Sequence, residues 1–512
     1  MRFVLLVLTM CSFAVGSALR PNVLFLLTDD QRHDTIASLG NDRIKTPHID
    51  SLVKKGTSFK QAHIMGSTCM AVCTPSRASL FSGRLLWSLE SQSDWDFAIS
   101  ERYVTMAEVF RKAGYVTFAT GKNDPGFGDS DHFTRSFSEG DNLYYRGGHR
   151  GNNRTPVYPY PKQGKLVKSE MKPVDGRFNA DHFADAAVAF LTARANSVQK
   201  PFFAYVSFMT PHDPFNAPEE YLSMYQDKDM VLPENYLPQH PFDAGVHHIR
   251  DEKLFRRPLT EQTIKKTLAR YYALVTHTDA QIGRILKALE DSGEADNTII
   301  VFSSDNGLAL GSHGLTGKQN VYQHGVRVPL IMAGPGIPKR ETRDQLCYLY
   351  DIYPTLCELA GLAVPGTVHF KSLKPVLKNP KVQHRDNLYF SFMKWQRAVR
   401  DERYKLIEFC VGGKRTTRLY DLQEDPSETK DLAGQNATLE AQMKLQVLLE
   451  LHGSKEVDDQ PCPGHIKAMS EEFWTTYQKN SKSSSCHRLS SKIQRTILSS
   501  FEAKTFTKPQ KP

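Results

Sequence analysis

Past its first eighteen residues the 512-residue chain has no apolar run long enough to cross a bilayer, which excludes an integral membrane bundle. No internal repeat is evident, so a repeat array is excluded as well. Zinc-finger spacing, a basic-region helix and an RNP-type aromatic motif are all missing. A net charge of +9 therefore has no nucleic-acid reading element to serve, and it suits some other polyanionic partner or surface. Cysteine is scarce, at eight. Cys11 lies in the N-terminal leader and Cys73 in the stretch AVCTPSRASLFSGR. Cys69, Cys347, Cys357, Cys410, Cys462 and Cys486 remain, and they permit disulfides without proving any. Cys462 and Cys486 flank a short segment and could form a local bridge or stay as exposed thiols.

The leader, MRFVLLVLTMCSFAVGSALRPN, has an early arginine, a short apolar run and small residues Gly16 and Ala18. This reads as a secretory signal peptide over residues 1–18. It predicts an exported chain with no membrane span after cleavage, in the extracellular space, the lysosome or the periplasm. Sequons at Asn153 and Asn436 are compatible with glycosylation.

Three apolar runs end abruptly on groups able to bind ions: NVLFLLTDD (22–30), FFAYVSFMTPHDP (202–214) and TIIVFSSDNG (298–307). Continuous apolar character predicts strands buried on both faces. Between them, Ile282, Ile285, Leu286 and Leu289 recur at helical spacing, with Gly293 as the stop. The alternation predicts an α/β fold with a large, mixed, mostly parallel sheet sandwiched by helices over residues 19–384. From 385 to 452, NLYFSF, WQRAVRDERYKLIEF and TRLYDLQED read as a small antiparallel sheet, with TLEAQMKLQVLLELHG as a helix packed on it. Residues 453–512 read as a basic Ser/Lys-rich tail.

Sites in open α/β sheets gather beyond the carboxyl ends of the strands. Asp29, Asp30, His212, Asp305 and Asn306 all fall there, although any one of them could be a turn or cap residue. The Asp and Asn members offer only oxygen ligands, which select Ca²⁺ or Mg²⁺ and favour calcium. In AVCTPSRASLFSGR (71–84), Pro75 suits the first turn of a helix, which puts Cys73 at or just before its N-terminus. Arg77, four residues on, shares its face.

Here the sequence resembles the type I sulfatases of the alkaline phosphatase superfamily, whose C-x-P-S-R signature and downstream G-R match CTPSR and LFSGR. PNVLFLLTDDQR, GYVTFATGK, TPHDPF, SDNG and GKQNVYQHGVRVPLI extend the likeness over nearly all of the mature chain. The resemblance implies that a formylglycine-generating enzyme oxidises Cys73 to formylglycine (3-oxoalanine). One hydroxyl of the hydrated aldehyde would attack sulfur and the other would allow sulfate to be expelled by C–O cleavage. It implies further that Asp29, Asp30, Cys73, Asp305 and Asn306 hold one divalent cation, Ca²⁺. Arg77, Lys122 and Lys318 would stabilise charge, and His212 would assist the leaving oxygen. Lys122, His212 and Lys318 would touch the substrate, and His313 in GSHG either joins them or is a loop histidine.

The chain departs from the family's G-K-W-H pattern at GKNDPGFG (121–128), where Asp124 occupies the histidine position. Asp124 is the expected base for the second step, with His132 as rival. The segment 124–178 mixes Tyr144, Tyr145, Tyr158 and Tyr160 with Arg146, Arg150 and Arg154, a composition suited to stacking on sugar rings and gripping sulfates, or to an ordinary surface loop. HHIRDEKLFRR (247–257) is a second basic cluster, or the lead into the next helix. The expected activity is hydrolysis of sulfate esters on a small molecule or glycan. The alternatives are a phosphonate or phosphodiester hydrolase of the same superfamily and an inactive relative that binds sulfated glycan.

Overall fold

In the computed structural model, residues 20–89, 91–93, 96–97, 99–122, 143–145, 157–159, 177–195 and 200–456 are described. Asp124, His132, Asn153, Cys462, Cys486, residues 1–18 and the tail beyond residue 456 lie outside them, as does most of segment 124–178; residues 453–456, expected in the tail, continue the helix Leu439–Glu456.

The three apolar runs form strands Asn22–Thr28, Phe202–Ser207 and Thr298–Ser304, and the first lies parallel between the other two. Strand Val116–Gly121 extends the parallel set beside Phe202–Ser207. On the other side, Leu330–Ala333 pairs antiparallel with Thr298–Ser304 and Gly56–Phe59 antiparallel with Leu330–Ala333, within a sheet that has nine strands among the described residues. The sheet is therefore mixed, with its parallel strands at the centre.

Alternation along a strand sends successive side chains to opposite faces. Val23, Phe25 and Leu27 join Phe81, Phe110 and Leu356 in one core, while Leu24 and Leu26 join Phe183, Ile282 and Ile285 in the other. Helix Cys73–Ser82 thus covers one face, and Asn179–Thr192 with the 31-residue helix Glu261–Asp291 covers the second. The helix expected around Ile282 begins well upstream, where the Thr260 hydroxyl accepts from the Thr263 N–H, and Gly293 follows its end with φ of 74°.

Strands Leu388–Phe392, Gln396–Arg400, Tyr404–Val411 and Lys414–Asp421 form the expected antiparallel meander, with helix Leu439–Glu456 packed through Leu445, Leu448 and Leu449. One member came from elsewhere. Gly66–Ser67, shortly before Cys73, pairs parallel with Leu388–Phe392 as a fifth strand.

Gly121 ends its strand with φ of 99°, and a Cβ there would lie 1.9 Å from the Ser207 carbonyl oxygen. Both the left-handed backbone and the close approach demand glycine. Gly121→Ala is expected to cost more than ~2 kcal/mol and to displace Lys122. Urea denaturation checks this, and an unchanged midpoint would contradict it.

Candidate active site

The register of the parallel strands builds the site. Thr28 stands opposite Ser304, so Asp29 and Asp305 leave adjacent strand ends side by side, both in phase with the face that helix Cys73–Ser82 covers. Tyr205 and Ser207 belong to the same face. Arg77, wholly buried, reaches down onto it. Its Nε donates to Asp305 Oδ2 at 2.7 Å, its Nη1 donates to the hydroxyls of Tyr205 and Ser207, and its Nη2 lies 3.7 Å from Asp29 Oδ2. Cys73 is the first residue of that helix and is nearly buried, as Pro75 suggested. The helix stops at Gly83, where φ is 67° and the N–H donates to the Ser79 carbonyl. A Cβ at Gly83 would press on Val368, which gives the glycine of LFSGR a packing role too.

The remaining residues converge from four loops, one after each central parallel strand. Asp30 takes a left-handed φ of 64°, and its carboxylate accepts from Lys318 Nζ at 2.6 Å and from Asn306 Nδ2 at 2.6 Å. Lys122 Nζ donates to Asp29. His212 Nε2 lies 3.5 Å from Asp30 Oδ2, while its Nδ1 donates to the Asp213 backbone carbonyl at 2.9 Å and lies 3.0 Å from Asp213 Oδ1. The structure therefore brings together Asp29, Asp30, Arg77, Lys122, His212, Asp305, Asn306 and Lys318, with Cys73 beside them.

Charge is nearly balanced within this dry cluster. Burial opposes ionisation of Asp29, but Lys122, His212, Lys318 and Arg77 outweigh it and hold the carboxyl well below its usual range. Burial lifts Asp305, and the neighbouring Asp29 adds to the lift. His212 is lifted to about 9, because Asp30 and Asp213 overcome the burial that disfavours the imidazolium. Asp29, Asp30 and Asp305 are thus faced by Arg77, Lys122 and Lys318.

The donor set fits a hard divalent cation. Asp29, Cys73 and Asp305 place one ligand atom each within 4.8 Å of one another, as do Asp29, Asp30 and His212. Asp29 Oδ1 and Asn306 Oδ1 are buried without a hydrogen-bond partner, an arrangement that costs free energy unless something supplies a positive centre. A cation held there would leave the cluster with a positive excess, which favours an anionic substrate.

Two features left open by the sequence have the following surroundings. His313 stacks on Tyr322 with ring centroids 3.9 Å apart and lies near His324 and Tyr420 of the C-terminal sheet. Burial pushes it down to about 3, and none of its contacts among the described residues is to the carboxylate cluster. The cluster 247–257 precedes the helix Glu261–Asp291, and two of its arginines are paired. Arg250 forks onto Asp213, and Arg257 pairs with Glu252. Asp213 and Arg250, which brace His212, escape a reading of the sequence because their pairing spans a long loop. The only local signal is an Asp next to the His in TPHDPF.

The sulfatase family model matches residues 21–362, and a second model, N-sulphoglucosamine sulphohydrolase, C-terminal, matches residues 311–455. The chain belongs to the sulfatase family, the sulfuric ester hydrolases of the alkaline phosphatase superfamily. It is 28% identical over 472 residues to an arylsulfatase of Clostridium perfringens, covering 86% of this chain and 96% of that one. It is 26% identical over 466 residues to arylsulfatase K of Xenopus laevis, covering 81% and 80%. Among solved structures, a protein in complex with its substrate D-glucosamine-2-N,6-O-disulfate superposes with a TM-score of 0.70 at 23% identity, covering 86% of this chain and 99% of that one.

Proposed function

We propose that this sulfatase hydrolyses sulfate esters carried on a carbohydrate, using a nucleophile derived from Cys73 and a divalent cation held by Asp29, Asp30, Asp305 and Asn306. The observation that carries the reading is the placement of Cys73 at a helix N-terminus against three buried carboxylates and three buried cations. A helix N-terminus and three side-chain cations in a dry site stabilise oxyanion charge far better than they would in water. Formylglycine at position 73 would supply a hydroxyl nucleophile that can be regenerated, and the cation would supply polarisation of the sulfate oxygens. Lys122 and Lys318, each nearly buried, would orient the sulfuryl group. His212, braced by Asp213 and Arg250, would hold a proton for the departing oxygen at Nε2. The carbohydrate reading draws on the match to the N-sulphoglucosamine sulphohydrolase C-terminal model and on the tyrosine and arginine content of segment 124–178.

The test is the mass of the tryptic peptide QAHIMGSTCMAVCTPSR from protein secreted by a host that modifies a control sulfatase. An aldehyde or its hydrate at Cys73, with Cys69 alone alkylated, together with turnover of an aryl sulfate, supports the reading. Alkylation of both cysteines with no turnover would overturn it. The same secreted protein tests the secretory route, the formylglycine-generating enzyme as maturation partner, and glycosylation at Asn153 and at Asn436, which is exposed.

Stripping the cation with a chelator is expected to lower the melting temperature and abolish turnover, and Ca²⁺ is expected to restore both. At a hundredfold excess over its Kd, the ion contributes about 2.7 kcal/mol of stability. A melting curve indifferent to chelator would remove the cation from the site. Asp124 is proposed as the base for the second step in place of the family histidine. Asp124→Ala is therefore expected to reduce kcat by roughly 10²-fold, with covalently sulfated enzyme accumulating; unchanged turnover would sink the assignment.

A further inference from the structure

Away from the catalytic cluster, a cavity of about 400 Å³ opens where the C-terminal sheet meets the edge of the main sheet. Its wall carries two guanidinium groups, Arg327 and Arg400, glutamine amides including those of Gln61 and Gln323, and two carboxylates, Asp344 and Glu402. Arg400 is 2% exposed. Its hydrogen bonds go to the carbonyls of Asp401 and Glu402, to Gln61 Oε1 at 2.9 Å and, more weakly, to His63 Nε2 at 3.4 Å. All of these acceptors are neutral. Arg327 donates through Nε to the Lys60 carbonyl at 2.7 Å, and its terminal nitrogens make no hydrogen bond among the described residues. No carboxylate lies within ion-pair distance of either arginine among those residues. Asp344 on the rim is exposed and is taken up by Lys60 at 3.3 Å.

A buried guanidinium is costly unless an anion faces it, and two that share one wall repel each other. Burial, with Arg327 next in weight, pushes Arg400 down to about 10 against the weaker opposing pull of Glu428, Asp401 and Glu402, and burial with Arg400 and Arg327 keeps His63 neutral. A planar fork of N–H donors matches a tetrahedral or carboxylate oxyanion in two-point fashion, and amide side chains around it match hydroxyl groups. The walls are built by residues far apart in sequence, so the pair is held by the fold rather than scattered over a mobile surface.

We propose that this cavity is a second anion site, which binds a sulfate or other oxyanion group, either free or carried on a saccharide, at a position separate from the reacting ester. The saccharide source rests on the carbohydrate reading above; the anion site itself does not.

The test is calorimetric titration of the full chain with inorganic sulfate and, separately, with a sulfated disaccharide, using the Cys73→Ala protein so that nothing turns over. Each ligand is then titrated into the same protein carrying Arg327→Gln. A second binding event lost or weakened at least tenfold by Arg327→Gln, while Arg327→Gln alone leaves aryl sulfate turnover within twofold of the unaltered enzyme, is the expected result. Affinity for the disaccharide at least tenfold above that for inorganic sulfate assigns the site to a glycan group; equal affinities assign it to the free anion. Isotherms unchanged by Arg327→Gln for both ligands overturn the proposal. Should Arg327→Gln fail to fold, Arg400→Lys reads the same cavity with its charge kept and its two-point geometry lost. A protein that binds sulfate in the cavity but has no sulfatase turnover would refute the catalytic reading and leave this one standing.

Discussion

Cys73→Ala protein is expected to fold normally and to lose at least ~10³-fold in kcat on an aryl sulfate, because the substitution removes the nucleophile and nothing else in the cluster can replace it. The helix that begins at Cys73 is secured by the packing of Leu80 and Phe81 and by Arg77, so deleting one small side chain costs only about 1 kcal/mol. Lys122, Lys318 and His212 keep their partners on Asp29 and Asp30, and binding survives while chemistry stops. Cys73→Ser sharpens the point. A serine has one hydroxyl and lacks the second that would release sulfate, so that variant should complete a single turnover and carry one covalent sulfuryl group, which intact-protein mass measures directly. Retention of more than a tenth of the activity by Cys73→Ala would mean that Cys73 is only the start of a helix.

The second large effect is on stability. Lys405 and Glu428 form an ion pair of 2.7 Å between side chains that are 0% and 1% exposed. Glu428 also accepts the backbone N–H of Gln323, just beyond the loop that delivers Lys318, so the pair fastens the C-terminal sheet to the catalytic loop. Lys405→Met leaves a carboxylate buried without its cation, and a loss of 3–5 kcal/mol is expected, of the order of ~4 kcal/mol for a broken buried pair. Lys405→Met with Glu428→Gln removes the stranded charge and still accepts from Gln323, so at least about half of that loss should return. Urea midpoints of the three proteins decide it. A single variant that loses less than about 1 kcal/mol would show that the pair is dispensable.

Most of the fold was legible because its signals are local. Continuous apolar runs such as NVLFLLT report burial on both faces whatever lies opposite, and the meander after residue 385 reports itself by short strands and turns. The strand Gly66–Ser67 was not legible: two residues carry no periodicity, and their pairing with Leu388–Phe392 spans a separation that no local pattern encodes. The same limit hid Asp213 and Arg250, and it left His313 open, since a histidine in a glycine-rich loop reads alike whether it meets a substrate or stacks on Tyr322.

By itself, then, the sequence determined the class of sheet, the family and the residue types available for chemistry, because strand ends, a helix start at Pro75 and the CTPSR signature are written in contiguous residues. Only the tertiary structure decided which of those residues share a site. Strand register set Asp29 beside Asp305, face alternation aimed Tyr205 and Ser207 at Arg77, and burial turned the cluster into a balanced set of charges. It also left Arg327 and Arg400 facing one cavity at the seam between the two sheets, with no carboxylate at ion-pair distance among the described residues. Each of these outcomes depends on the relative placement of elements hundreds of residues apart, and through-space electrostatics in a dry interior has no counterpart in a local sequence pattern.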